Sequence, residues 1–384
     1  MGDTLKPIRK LFTGGPAAFC CEKAGGINKP KLANNRNPFL CRQILLNMVA
    51  KFIKKYGTWT GLALVLSCCG KPEPKAEIRD LYTSLHQASK QNMDTSRLHA
   101  LRKQYGVFFD YYTQEVLGLW TPSDSFTAAR LDFFGKRNRF VFERINGAGA
   151  ALEAQTRQLG KMLAAWVEHF PSDSLPVIYR YYSQFSNYFT IAAPVEKGKI
   201  GLGYSVEMFL GDTFIGYKSL ELPKWYSRFT RPELVPPMLA MAYLNYLFDS
   251  SNSREHMLGE MIYYGKLLYA TAKIASWMEP YTIAGLSKEE WQWCMEEEAN
   301  IWKHYLDARV LYSSNRMEYG RYFVEGNETK GSGIPEHCPP MIGRWTGYRI
   351  VEAFMKKNSN LSLKELMRLN NPEQILSESA YKPK

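Results

Sequence analysis

From position 76 onward, apolar side chains recur mostly at three- and four-residue steps, the spacing of a helix face. Helices are predicted over 76–89, 95–117, 150–170, 236–248, 254–276, 287–312 and 341–356, with two short ones at the C-terminal end. Within 95–117, Leu98, Leu101, Tyr105, Phe108, Phe109 and Tyr112 make one stripe, and Asp94 or Thr95 is placed to cap its start. In 236–248, Met238, Leu239, Met241, Leu244, Leu247 and Phe248 cover nearly every side, which predicts a central, buried helix. Ser287 with Glu290, and Ser362 with Glu365, have the spacing of capping boxes. The inner face of 287–312 is expected to carry Trp291, Cys294, Met295, Trp302, Tyr305 and Leu306, with Glu298 as a partly exposed or hydrogen-bonded acid at its margin. Gly343 and Gly347, four apart on 341–356, would let another element approach that helix closely.

The period changes between 175 and 210. Residues 175–188, 190–194 and 200–210 read as strands, the last two joined by the polar turn 196–199. Gly201-Leu-Gly203 is a lone glycine fragment on the last strand, for which a tight turn is the better explanation. Segment 315–340 is a long polar loop, and loops of that length are usually functional, so it is the first choice for a docking site. The expected fold class is α+β, predominantly helical, with a small β-sheet and several packed helices.

A different pattern precedes this body. In KFIKKYGTWTGLALVLSCCG, residues 51–70, the cations Lys51, Lys54 and Lys55 lead into a short apolar run and then Ser67-Cys68. Positive flank, short apolar core and small-residue junction are the parts of a secretory leader. The run is too short to cross roughly 30 Å of hydrocarbon as a helix. Val-Leu-Ser-Cys resembles a bacterial lipobox, which makes Cys68 the expected lipidated residue; a buried core segment or an uncleaved anchor is the alternative. Cys69 follows where an Asp would favour retention at the inner membrane, so the outer membrane is the expected location. The chain then divides into 1–47, an over-extended start or a disordered arm, 48–67 as the leader beginning at Met48, 68–75 as a tether, and 76–384 as one domain.

This division changes the meaning of the charge. The chain is +12 overall, but residues 1–67 hold 11 Lys and Arg against 2 Asp and Glu. The remainder carries 38 against 35, a net of +3. Phosphate binding needs concentrated cations, so a nucleic-acid partner is not expected. Beyond the junction only Cys294 and Cys338 remain; one disulfide is open to them in an oxidising compartment.

Motifs for chemistry are missing. The six His include no His-x-x-x-His and no His-Glu-x-x-His, and there is no nucleophile elbow, phosphate loop or dinucleotide fingerprint. No metal site, cofactor or catalytic residue is assigned. Two other classes stay open: a hydrolase on an unrecognised carboxylate site, with Glu207 and Glu298 as candidates, and a glycan-binding lipoprotein using the many aromatic residues.

Several stretches in order carry a family resemblance: EMFLGDTFIGYKSLELPKWYSRFTRPELVP at 207–236, HMLGEMIYYGKLLY at 256–269, LSKEEWQWCMEEEANIWKHY at 286–305, PPMIGRWTGYRIVEAFMKKN at 339–358, and 362–384. With the lipobox, they resemble the gliding-motility lipoprotein GldB family of Bacteroidetes. The resemblance implies a lipid-anchored, periplasm-facing protein whose partners are the bilayer, through Cys68, and envelope proteins of gliding motility and type IX secretion. The family's layout is in turn similar to zincin-type metallopeptidases, with 206–210 in the place of the edge strand and the helices 236–248 and 257–269 in the places of the ligand-bearing helices. No His or Glu occurs in 236–248, so the zincin ligands and general base have no counterpart there. The expectation is a zincin-like frame without the enzyme activity.

Overall fold

The computed structural model describes residues 76–384, except 122, 172–173, 187–188, 212–213, 215, 218–219, 223, 250–253, 327–328, 330–332, 336 and 384. The predicted segments 1–47, 48–67 and 68–75, Cys68 included, lie outside the described residues.

Strand β1 (Ile78–Asp80) leads straight into α1 (Leu81–Lys90). The first helix therefore starts later than its apolar spacing suggests. Residues 78–80 instead pair in parallel with a strand far along the chain, Ile78 facing Ile178, and no local pattern reveals such a partner. Helix α2 (Thr95–Tyr105) is capped by Asp94, whose carboxylate accepts from the Arg97 N–H at 2.8 Å. Gly106, at φ 57°, splits the predicted 95–117 helix. Beyond it come α3 (Val107–Tyr111) and a π turn, Tyr112–Val116. Helices α4 (Asp124–Arg137) and α5 (Arg139–Gly147) occupy a stretch with no predicted element, and α6 (Gly149–His169) follows.

Strands β2 (Val177–Tyr181), β3 (Thr190–Pro194) and β4 (Ile200–Ser205) complete a four-stranded sheet of order β1-β2-β4-β3. The first three run parallel, and β3 is antiparallel to β4 across a 3-10 turn, Glu196–Gly198. Two predicted strands are too long. The 200–210 strand stops at Ser205, and Val206–Phe209 is a 3-10 turn. The cause is loss of neighbours: β2 pairs only as far as Tyr181 opposite Ser205, and β3 begins at Thr190 opposite Tyr204.

Each face of the sheet is covered. On one, Phe108 of α3 stacks flat on Tyr179, ring centroids 3.7 Å apart. A Cβ on Gly201 or Gly203 would lie 3.2 or 2.7 Å from the Phe108 ring. These glycines lie on a strand, as expected, but they make room for a ring rather than a tight turn. On the other face, Tyr204 Oη donates to Gln155 Oε1 at 3.0 Å and Arg180 to Thr156 Oγ1 at 2.6 Å, both on α6.

The C-terminal half is helical: α7 (Val235–Phe248), α8 (Met257–Ile274), α9 (Pro280–Ile283), α10 (Lys288–Glu296), α11 (Glu298–Asp307), α12 (Arg316–Tyr319), α13 (Ile342–Lys357), α14 (Leu363–Arg368) and α15 (Pro372–Ser379). As predicted, α7 is central, buried from Val235 to Asn245. Both capping boxes form. The predicted 287–312 helix breaks at Glu297. The break turns Met295 and Leu306 outward, 37% and 50% exposed, while Cys294 and Tyr305 stay buried. Helices α8 and α13 cross with their backbones in contact. A Cβ on Gly265 would lie 2.2 Å from the Gly347 carbonyl oxygen, and one on Gly347 1.8 Å from that of Met261. Among the described residues no helix is long and apolar enough to cross a membrane.

Candidate functional site

The C-terminal ends of two parallel strands converge on one buried carboxyl group. The turn after β4 carries Glu207, and the chain beyond β2 carries Ser183 and Phe185. Glu207 Oε1 accepts from Ser183 N at 2.8 Å, Ser183 Oγ at 2.7 Å and Phe185 N at 3.1 Å. The Ser183 and Ser205 hydroxyls lie 2.8 Å apart. Glu207 is fully buried, and among the described residues its Oε2 has no hydrogen-bond partner. Burial pushes its pKa up, while the bonds from Ser183 pull the other way. Transfer of a carboxylate from water to such a site disfavours the charged form.

The backbone beside it is strained. Gln184 and Phe185 both adopt left-handed conformations, φ 60° and 56°, which cost a non-glycine residue of the order of 1–2 kcal/mol each. The N–H groups on either side of Gln184 thereby converge on one oxygen, a nest for an acceptor. The Phe185 ring packs edge-on against Tyr182 and Tyr217, and Tyr217 Oη donates to the Glu207 carbonyl at 2.7 Å. Glu207 acts as a clamp that closes the turn after β2.

Glu298, the second candidate acid, sits at the margin of its helix stripe as predicted. Its Oε1 accepts from Arg349 Nε and from Tyr381 Oη, each at 2.9 Å. Arg349 also bonds Glu352 at 2.5 Å. Among the described residues Glu207 and Glu298 share no hydrogen-bond partner.

Helices α7 and α8 cover the segments expected to be similar to zincin ligand helices. On α7 the buried positions are filled by Met238, Leu239, Ala240, Met241 and Leu244, and Asn245 contacts Tyr263 of α8. Two acids lie nearby, and both are paired: Glu260 Oε1 with Arg316 at 2.8 Å, and Glu325 Oε1 with Arg344 at 2.6 Å. The Arg344 guanidinium also lies 4.6 Å over the Tyr264 ring. These pairs tie 315–340 to α8 and α13. The segment was expected to be a loop, but its described part contains α12 and a 3-10 turn, Gly320–Tyr322, with Tyr319, Tyr322 and Phe323 buried. The physical reason is these arginine–glutamate pairs, whose partners lie far apart in sequence.

Lys266 of α8 is a further group that no local pattern signals. Its Nζ donates to the Leu369 carbonyl at 2.5 Å, beyond the end of α14, and burial lowers its pKa to about 8. Cys294 and Cys338 are buried free thiols, and burial raises both pKa values. Among the described residues no group of three His, Cys, Asp or Glu is arranged to hold a metal ion.

In comparison with protein families, the family model described as "Gliding motility protein GldB" matches residues 71–383. No curated protein and no solved structure matches the chain.

Proposed function

The chain belongs to the gliding motility protein GldB family, and from that premise we propose that it is a non-catalytic component or assembly factor of the envelope machinery for gliding motility and type IX protein secretion. The observation that carries the non-catalytic part is the commitment of the acids. Glu260, Glu325 and Glu298 each face an arginine, and a general base must instead be free to take a proton from a bound substrate. Glu207 is spent on three donors of its own chain. On α7, the helix in the place of the zincin ligand helix, Met, Leu and Ala occupy the buried positions. These features support a zincin-related frame whose interior has been given over to packing.

The second part of the reading is attachment. Lipidated Cys68 anchors the body in the envelope, facing the periplasm, and envelope proteins of the same machinery are its partners. Each buried methylene of an acyl chain contributes about 0.8 kcal/mol, so more than one chain is needed for stable attachment.

Complementation tests the proposal. A strain lacking the protein should regain spreading motility with the wild-type chain and with Glu207→Gln/Glu298→Gln, and fail to regain it with Cys68→Ala. Loss of motility in the double carboxamide variant, with its melting temperature unchanged, would contradict the non-catalytic reading. Restoration by Cys68→Ala would contradict the anchor.

A further inference from the structure

Helices α4 and α5 carry a repeat that neither the core nor the candidate site uses. Phe126, Phe133 and Phe140 recur every seven residues, and Arg130, Arg137 and Arg144 recur in step with them, each four residues after a phenylalanine. A seven-residue repeat drifts only about 20° per repeat around a straight helix, and α4 and α5 are separated by Asn138 alone. The opposite side of the pair, with Thr127, Leu131, Phe134, Phe142 and Ile145, is buried. It packs against α1, closely enough that a Cβ on Gly135 would lie 2.2 Å from that of Ser89.

The three rings are the unusual part. Phe126, Phe133 and Phe140 are 54%, 58% and 67% exposed, although their neighbours Phe134 and Phe142 are buried in the core. The arginines lean on them: Arg137 lies 6.0 Å from the centre of the Phe133 ring and Arg144 5.9 Å from that of Phe140. The acids of the two helices are engaged elsewhere. Asp124 pairs with Arg102, Asp132 with Lys136 and Glu143 with Arg139. Among the described residues, no carboxylate pairs with Arg130, Arg137 or Arg144.

We propose that this stripe is a membrane-contact surface that lies along a bilayer, with the phenylalanine rings at the acyl boundary and the arginines on lipid phosphates. Helices that lie in the interface plane combine aromatic residues on the inserted face with cations at headgroup level. Here exposed rings and cations without a carboxylate partner recur together on both helices, and a layered target with phosphate above hydrocarbon matches both at once. A protein-docking face would concentrate its apolar groups centrally and place charges at a rim. The stripe would add to the proposed anchor at Cys68, on which this inference partly rests. Seven residues, 69–75, separate Cys68 from the start of the described body, a span of at most about 28 Å, and the stripe is backed by α1, among the first elements after that tether.

The test is photo-crosslinking in the native membrane, using the full chain with Phe133→p-benzoylphenylalanine. Lipid adducts are expected at 133 and not at a control position, Tyr312, which is also exposed. Adding Arg130→Gln/Arg137→Gln/Arg144→Gln should lower the adduct yield about fivefold or more, since each cation near an anionic surface strengthens attachment severalfold. A crosslink from 133 to a discrete protein, or lipid adducts equal at 133 and 312, would overturn the proposal. The acylation of Cys68 is read by mass in the same preparation. An acylated Cys68 with no lipid adduct at 133 defeats the stripe alone, whereas adducts at 133 on a chain without acyl groups defeat the anchor alone.

Discussion

At the scale of single residues, the buried ionisable groups set measurable pH behaviour. Lys266 has its pKa lowered to about 8 by burial, from 10.5 in the unfolded chain. Between these values the unfolded state binds more protons, so stability should rise with pH across about 8 to 10.5. Chemical denaturation over that range should show this rise in the wild type, and Lys266→Met should remove its share. Glu207 has the opposite sign. Its pKa is raised by burial, so the folded state holds the proton longer. Its contribution is complete below the unfolded value and is lost as pH rises through the folded one. Glu207→Gln should flatten that fall. Glu207→Ala leaves two backbone donors and a hydroxyl without an acceptor and should cost about 3 kcal/mol or more in urea unfolding. A cost near zero would mean that the turn at Gln184 and Phe185 is held by something else. The sequence marks Glu207 only as one of two candidate carboxylates and Lys266 not at all, and the burial that sets both titrations could not be read from it.

At the scale of elements, local patterns predicted what local forces decide. The stripe from Leu98 to Tyr112, the Asp94 cap, the two capping boxes and the all-round burial of α7 depend on residues within a few turns of one another. The failures come from partners distant in sequence. Strand β1 forms because β2 supplies its hydrogen bonds, and Gly201 and Gly203 make room for the Phe108 ring rather than a tight turn. The 315–340 segment is packed because Arg316 and Arg344 reach Glu260 and Glu325. The α8–α13 crossing was half legible: Gly343 and Gly347 signalled a close approach, but Gly265 as the facing residue did not. Gly347→Ala should destabilise by about 3 kcal/mol or more, since the new methyl meets the Met261 backbone and cannot be relieved by side-chain rotation. Gly160→Ala on α6, where nothing lies within 4 Å, should instead stabilise by up to about 1 kcal/mol. Thermal melts of the two variants, moving in opposite directions, check both. For the buried Glu325–Arg344 pair, either single apolar substitution should cost roughly 3–5 kcal/mol, and the double replacement markedly less. A double-mutant cycle reads that difference directly.

At the scale of the whole molecule, the sequence divides a cationic N-terminal segment from a nearly neutral body, and the body folds as a helical α+β domain around a small mixed sheet. The family match covers that body. The Phe–Arg repeat of α4 and α5 was present in the sequence as a seven-residue recurrence, yet its meaning depends on exposure, which only the packing of α1 against the opposite side decides. The account's central claim is that a lipid on Cys68 holds this domain to the envelope. The most direct measurement is the intact mass and N-terminal peptide of the protein extracted from its native membranes. The account predicts a mature chain that begins at Cys68 and carries acyl groups on that residue. A membrane-extracted chain that retains residues 48–67 and bears an unmodified Cys68 thiol would contradict it.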